Sequence, residues 1–382
     1  MKITLPDSHG HMFDYVLSGT PLPDTRLDEK AVRKVYSAAH VVADPFAASE
    51  PSRHAAVDWD RTMAFRRYLA GLGLGIAEAM DTAQRGMGLD WDGALELIRR
   101  TRAELPEAMV ANGCGTDHLD PLAAQGPDDV IRAYLEQVDA IQQLDARIIL
   151  MASRALAHVA RGPADYVRVY DAVLGACDQP VILHWLGEMF DPQLSGYWGS
   201  GLVEEAMETA LEVIYRNAKR VDGIKISLLD KSHEITMRRR LPAGVRMYTG
   251  DDFNYPELIE GDEYGHSDAL LGIFDPLAAA AAHAVNQLSA GDTSGFRATL
   301  DPTVALSRLI FRAPTQHYKT GVVFLAWLNG FQEHFIMLGG AQAQRPLPYF
   351  TEVFRLADSC GLLRDPELAV GRMKRLLALY GV

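Results

Sequence analysis

Cysteine is nearly absent from this 382-residue chain: Cys114, Cys177 and Cys360 are widely spaced and odd in number. That pattern gives neither a disulfide framework nor a CxxC metal pair, and it leaves buried, reduced thiols as the expectation. Basic residues are in deficit, 37 Lys and Arg against 50 Asp and Glu, and the net charge of -13 disfavours nucleic acid as a partner. The longest alanine-rich apolar run, Leu277 to Val285, falls far short of the ~20 residues that cross a bilayer, so no membrane partner is expected. The opening MKITLPDSHGHMFDY lacks the basic-then-apolar pattern of a secretory leader, which makes the cytoplasm the expected location. What the chain does have is core material, 48% hydrophobic residues, enough for one large barrel with an appendage or for two domains.

Short apolar runs alternate with stretches of helical period from about residue 38 onward. Strands are expected at 38–43, 75–80, 108–113, 146–152, 180–185, 221–227, 245–249 and 268–274, with helices such as 59–72, 90–104, 127–143, 163–177 and 202–220 between them. In the last of these, Val203, Ala206, Ala210, Val213 and Ile214 form one apolar stripe. Asp90 and Ser232 are the expected helix caps. Eight strand-helix units closing on themselves make a (β/α)8 TIM barrel, of class α/β; the rival is an open doubly wound sheet. Residues 38–295 are assigned to the barrel, 1–37 to an N-terminal extension with a candidate hairpin over one barrel end, and 296–382 to a C-terminal helical region without strands.

Eight lysines occur, and seven lie in polar, surface-like contexts. Lys225 alone sits inside an apolar strand, VDGIKIS, near its C-terminal end, where a barrel carries its active site. A desolvated lysine there loses part of its preference for the charged form, and the neutral amine can add to a ketone to form an imine. The plainer alternative is a stem packed in the core with its head paired to Asp222 or Asp230.

Several short motifs in consistent order resemble the dihydrodipicolinate synthase and N-acetylneuraminate lyase superfamily of class I aldolases. HVVADPF (40–46) is similar to the family's first strand with its T-P-F ending, and Asp81-Thr82-Ala83-Gln84-Arg85 stands where the family has G-T-T-G-E, with only Thr82 kept. QPVILHWLG (179–187) resembles the fifth strand, with His184 in place of the proton-relaying tyrosine. VDGIKIS puts Lys225 on the imine-forming lysine, and TGDD (249–252) resembles the turn after the seventh strand. The resemblance implies a lyase that makes or breaks a C–C bond, or dehydrates, on a keto acid or sugar-derived keto substrate. It also implies no metal or organic cofactor, and a homodimer or homotetramer.

On that reading Lys225, His184 and Thr82 are the catalytic candidates, with Asp81, Arg154, Ser227 and Asp251 for substrate binding. An imidazole at 184, with an unperturbed pKa of ~6.5, can shuttle a proton; the alternative is a structural histidine. Arg154 either grips a carboxylate or phosphate or pairs with an acidic rim residue. Asp81 and Glu78 either accept hydroxyl hydrogen bonds or serve locally, Asp81 as a turn cap and Glu78 pointing outward to a helix. Asp251 and Asp252 flank a turn, and at least one is expected to form it. Two other classes compete. His9 and His11, with His184 and Asp275, sketch the metal site of an amidohydrolase-type barrel. A barrel that only binds a metabolite is the third possibility. Cys114 with His118 reads as a loop thiol, and Gly71-Leu72-Gly73-Leu74-Gly75 follows a helix, the wrong order for a dinucleotide loop.

Overall fold

The structure, a computed structural model, describes residues 1–47 and 56–382. Ten strands are present among them: β1 (Lys2–Pro6), β2 (Met12–Val16), β3 (Val35–Ala38), β4 (Gly75–Glu78), β5 (Val110–Cys114), β6 (Arg147–Leu150), β7 (Val181–Leu186), β8 (Val221–Ser227), β9 (Arg246–Thr249) and β10 (Asp268–Leu271). Strands β3 to β10 are all parallel and close into a barrel, β10 pairing with β3. Closure removes the unpaired edges an open sheet would leave, which decides between the two folds considered above. In sequence, a helix follows each barrel strand, so the chain is a (β/α)8 barrel with helices at its C-terminal end.

By internal contacts the chain divides into two compact units. Arg33–Ala39 with Gly75–Gly272 contains all eight barrel strands and the helices from Trp91–Glu104 to Tyr255–Glu260. The barrel interior is filled by Tyr36, Ala38, Ala77, Ala111, Ile149, Met151, Ile182, Tyr248 and Leu270, all buried. Large and small residues interlock here: a Cβ on Gly223 would lie 2.7 Å from the Tyr248 ring, so the tyrosine fills the space the glycine leaves. The Val203–Arg216 helix buries Ala206, Ala210, Val213 and Ile214 of the expected stripe, while Val203 at its first turn is only half-buried. Asp90 caps Trp91–Glu104 by accepting from the Gly93 amide at 2.9 Å, an interaction typically worth ~1 kcal/mol.

Two expectations need correction. The first barrel strand is Val35–Ala38 rather than 38–43; residues 39–43 are just as buried, and burial alone does not show where ladder pairing stops. The cap of the Lys231–Arg238 helix is Asp230, which accepts from the Ser232 amide, so Ser232 lies inside the first turn.

The second unit comprises Met1–Val32, His40–Leu74 and Ile273–Val382. Its N-terminal hairpin, β1 against β2, packs on the Leu347–Ser359 helix. There Asp358 accepts hydrogen bonds from the Tyr15 hydroxyl at 2.7 Å, the Ser18 amide at 2.9 Å and the Gly19 amide at 3.3 Å. Among the described residues, no helix is long and apolar enough to cross a membrane.

Candidate active site

Side chains two apart on a strand share a face, so the inward Gly223 carries Lys225 and Ser227 inward with it, and the inward Ile182 does the same for His184. Register places His184 opposite Lys225 and Leu186 opposite Ser227. The Lys225 side chain is closely confined: a Cβ on Gly250 would lie 2.7 Å from its Cε, 2.6 Å from the Ile226 carbonyl oxygen and 2.3 Å from Ser227 Oγ. Glycine at 250 is therefore what gives the lysine stem its room.

Lys225 is 7% exposed, and its amine makes no hydrogen bond or ion pair with the described residues. Burial pushes the amine below the ordinary lysine value, while the carboxylates of Asp252 and Asp81 pull in the other direction. His184 is fully buried, with Nε2 3.3 Å from Ser227 Oγ and Nδ1 without a partner. Burial first, and the Lys225 charge second, drive its titration well below the ordinary histidine range. The imidazole therefore stays neutral below the pH at which a free ring takes up its proton.

A pocket open to solvent, roughly 640 Å³ with the solvent at its mouth included, lies beside these residues. Asp81, Arg85, Thr116, Met151, Arg154, His184 and Asp191 line it, with Leu119, Leu186 and Leu194 as apolar wall. Lys225, Ser227 and Thr82 are not in the lining; Thr82 is buried in the Asp81–Ala83 turn. That turn follows Ala79, whose φ of 53° is a left-handed conformation costly for a residue with a Cβ. The turn is fastened by Arg85, a residue that sequence reasoning passed over. Its guanidinium donates to the Ala79 and Gly113 carbonyls at 3.2 and 2.9 Å, to Gln137 Oε1 at 2.8 Å, and to both Asp117 oxygens at 2.7 and 2.6 Å. Burial alone would raise the Asp117 carboxyl, but the Arg85 charge and hydrogen bonds, with the Gln137 bond, together bring the group below the usual range. The only signal in the sequence was an arginine three residues past Thr82, with no mark of its burial.

The structure brings Asp81, Arg154 and His184 to one pocket and sets Lys225 and Ser227 beside His184. Arg154 donates from Nε to Asp191 at 2.5 Å, the rim pairing foreseen as one alternative. Asp251 does not join the site: its carboxylate accepts from the Phe253 and Asn254 amides and from Asn254 Nδ2, so it builds the turn. Glu78 turns outward and accepts from Thr101 Oγ1 at 2.7 Å. Lysine scarcity was also a less clean signal than it looked, because Lys319 is buried too, donating to the Gln316 carbonyl and lying 4.6 Å from the Tyr318 ring centroid.

The metal-hydrolase geometry is not assembled. His9 and His11 sit in the exposed turn between β1 and β2, not at a barrel strand end, and their amides donate to Asp7. Asp275 is held by His40, accepting from the His40 amide at 2.7 Å and lying 2.8 Å from its Nδ1. Cys114 is buried, and His118 is bound to Gln137.

Residues 3–382 match the model of a family described as Protein of unknown function (DUF993). The chain belongs to the DUF993 family. No curated protein matches the DUF993 chain. Solved structures resemble it across most of its length. A prophage protein of the dihydrodipicolinic acid synthase family from E. coli K12, in complex with pyruvate, is 14% identical over 87% of this chain and 99% of its own, with a TM-score of 0.66. The chloride-inhibited dihydrodipicolinate synthase of Acinetobacter baumannii, complexed with pyruvate, is 15% identical over 87% of this chain and 100% of its own, with a TM-score of 0.64. The dihydrodipicolinate synthase of Bacillus clausii is 14% identical over 86% and 97%, with a TM-score of 0.63. The DUF993 chain has the fold of these structures, which bears out the resemblance read from its motifs at that level.

Proposed function

We propose that this DUF993 protein is a lyase of the class I aldolase type, in which Lys225 forms an imine with a keto substrate. The observation that carries this reading is a buried, inward-facing amine without a hydrogen-bond partner, pushed toward its neutral form. The reading requires Nζ to swing past His184 into the pocket, a movement of the outer stem that the confinement at Cε leaves to the last bonds. There the neutral amine adds to the ketone carbon; the carbinolamine then loses its hydroxyl as water, and the protonated imine accepts the electron pair of a bond broken at the adjacent carbon. Ser227 and the neutral His184 form a hydrogen-bonded pair beside the amine, suited to relaying a proton from solvent in the open pocket onto the departing hydroxyl. Asp81 in the pocket lining accepts substrate hydroxyl hydrogens, and Thr82 orients the turn that carries it. No step needs a resident metal or organic cofactor.

The test is mass spectrometry of protein reduced with borohydride in a panel of keto acids and keto sugars. A single adduct on Lys225, lost in Lys225→Met, is the expected result. Because only the unprotonated amine reacts, labelling should fall as pH drops through the lowered Lys225 titration. Equal labelling of Lys225→Met would sink the mechanism.

A further inference from the structure

Two arginines line the pocket, and their bonding divides them sharply. Arg85 is spent: its guanidinium serves two carbonyls, one amide oxygen and both oxygens of Asp117. Arg154 has one partner among the described residues, Asp191, and reaches it through Nε alone. The edge formed by its two terminal nitrogens is left without a protein acceptor. A guanidinium edge with two parallel N–H donors matches a planar pair of oxygens, the geometry of a carboxylate or of two phosphate oxygens.

Arg154 stands partly exposed, its side chain 36% accessible, yet its Nε edge and its backbone are both positioned by neighbours. Asp191 fixes the Nε edge, and the Asp191 carboxylate is itself braced by the Gln193 amide at 3.1 Å. The loop leading to Arg154 is clamped from below: Tyr134 donates to the Met151 carbonyl at 2.5 Å, and the Ser153 amide donates to the Tyr197 hydroxyl at 3.0 Å. On the far side stands Gly86, at a φ of 69°, where a Cβ would lie 3.4 Å from one terminal nitrogen of Arg154.

We infer that Arg154 is an anchor for an oxyanion at the far end of the substrate, so that the substrate class is a ketone carrying a carboxylate or phosphate remote from the reacting carbonyl. This rests on the imine reading for the position of the carbonyl. Lys225, His184 and Met151 lie at one level on neighbouring strands, because Leu150 pairs with Leu183 and His184 with Lys225. Two strand spacings of ~4.8 Å separate the lysine strand from Met151, and Arg154 begins three residues further along the chain. The two anchors are thus on the order of 10 Å apart at the backbone, a span that a substrate carrying its ketone and its anion at opposite ends of a short chain can bridge. Apolar Met151, Leu186 and Leu194 line the wall of the same pocket, which fits a short carbon chain between a ketone and an anion.

The experiment compares borohydride labelling of wild type, Arg154→Met and Arg154→Lys with two matched pairs: 5-oxohexanoate against 6-hydroxyhexan-2-one, and dihydroxyacetone phosphate against dihydroxyacetone. In wild type the anionic member of at least one pair should half-saturate at a concentration about tenfold lower than its neutral partner, the scale of a charge-assisted pair. Arg154→Met should bring that ratio to about one, and Arg154→Lys should keep part of it. Preference within the carboxylate pair alone assigns a carboxylate, and within the phosphate pair alone a phosphate. A wild-type ratio near one for both pairs, or an unchanged ratio in Arg154→Met, overturns the anchor while leaving the imine standing. Should wild type form no adduct with any ketone, the imine reading fails separately. Calorimetric titration of 5-oxohexanoate and dihydroxyacetone phosphate then decides: binding lost in Arg154→Met upholds the anchor, and absent or equal binding overturns it.

Discussion

Substituting Gly250 by alanine puts a single methyl group into the space that the Lys225 stem occupies. The added carbon would lie 2.3 Å from Ser227 Oγ, 2.6 Å from the Ile226 carbonyl oxygen and 2.7 Å from Lys225 Cε. Ser227 and Lys225 can rotate away, but the carbonyl belongs to the barrel ladder, where the Gly250 amide donates to it at 2.9 Å. The backbone must therefore give, and overpacking of this kind costs about 1–3 kcal/mol. In a chain of 382 residues that corresponds to a fall of roughly 1–4 °C in melting temperature. The functional effect should be larger. Displacing a reacting group by ~1 Å can cost up to about a hundredfold in rate, so borohydride labelling of Lys225 should slow by roughly tenfold to a hundredfold. Melting by circular dichroism and the rate of adduct formation by mass spectrometry read the two effects separately. A variant that melts at the wild-type temperature, within about 0.5 °C, and labels at an unchanged rate would refute both the confinement of the lysine and its place in the chemistry.

Glu234 supplies a second prediction. It is buried, with Oε1 accepting from Ser267 Oγ at 2.6 Å and Oε2 unpartnered, and burial pushes its carboxyl up to about 8 from 4.5. The folded state therefore holds its proton more tightly than the unfolded state, so this stability is fully present below pH 4.5 and is lost as pH rises through about 8. At ~1.36 kcal/mol per unit the loss is on the order of 4–5 kcal/mol, and Glu234→Gln should gain on wild type in melting temperature across that window. Parallel melting curves against pH would contradict it. Arg85→Met should cost about 3–5 kcal/mol, because it strands the Asp117 carboxylate and frees the Ala79 and Gly113 carbonyls. Adding Asp117→Asn should recover part of that loss; a thermal melt showing no recovery would mean the pair is not the main contribution.

Most of the barrel was legible because strands buried on both faces read as apolar runs, and the intervening helices kept their period. Where burial continued past the hydrogen-bonded ladder, as at residues 39–43, the same signal misplaced the first strand. The site was legible at Lys225 and His184, where a polar residue interrupts an apolar strand near its C-terminal end. It was not legible at Arg85, since a buried, fully paired arginine has the same letter as a solvated one, and its partners lie 32 and 52 residues away in sequence. Asp251 illustrates the opposite failure: a carboxylate after a glycine serves a turn or a ligand equally well until the donors it accepts from are known.

Asp358 ties together residues 339 to 343 positions apart. During synthesis the first hairpin emerges early and finds nothing to dock on until the penultimate helix has left the ribosome. Those bonds form among the last of the molecule, after the slow loop closure that so long a separation imposes. A stalled or shortened product would carry its leading residues unattached, an open invitation to proteases.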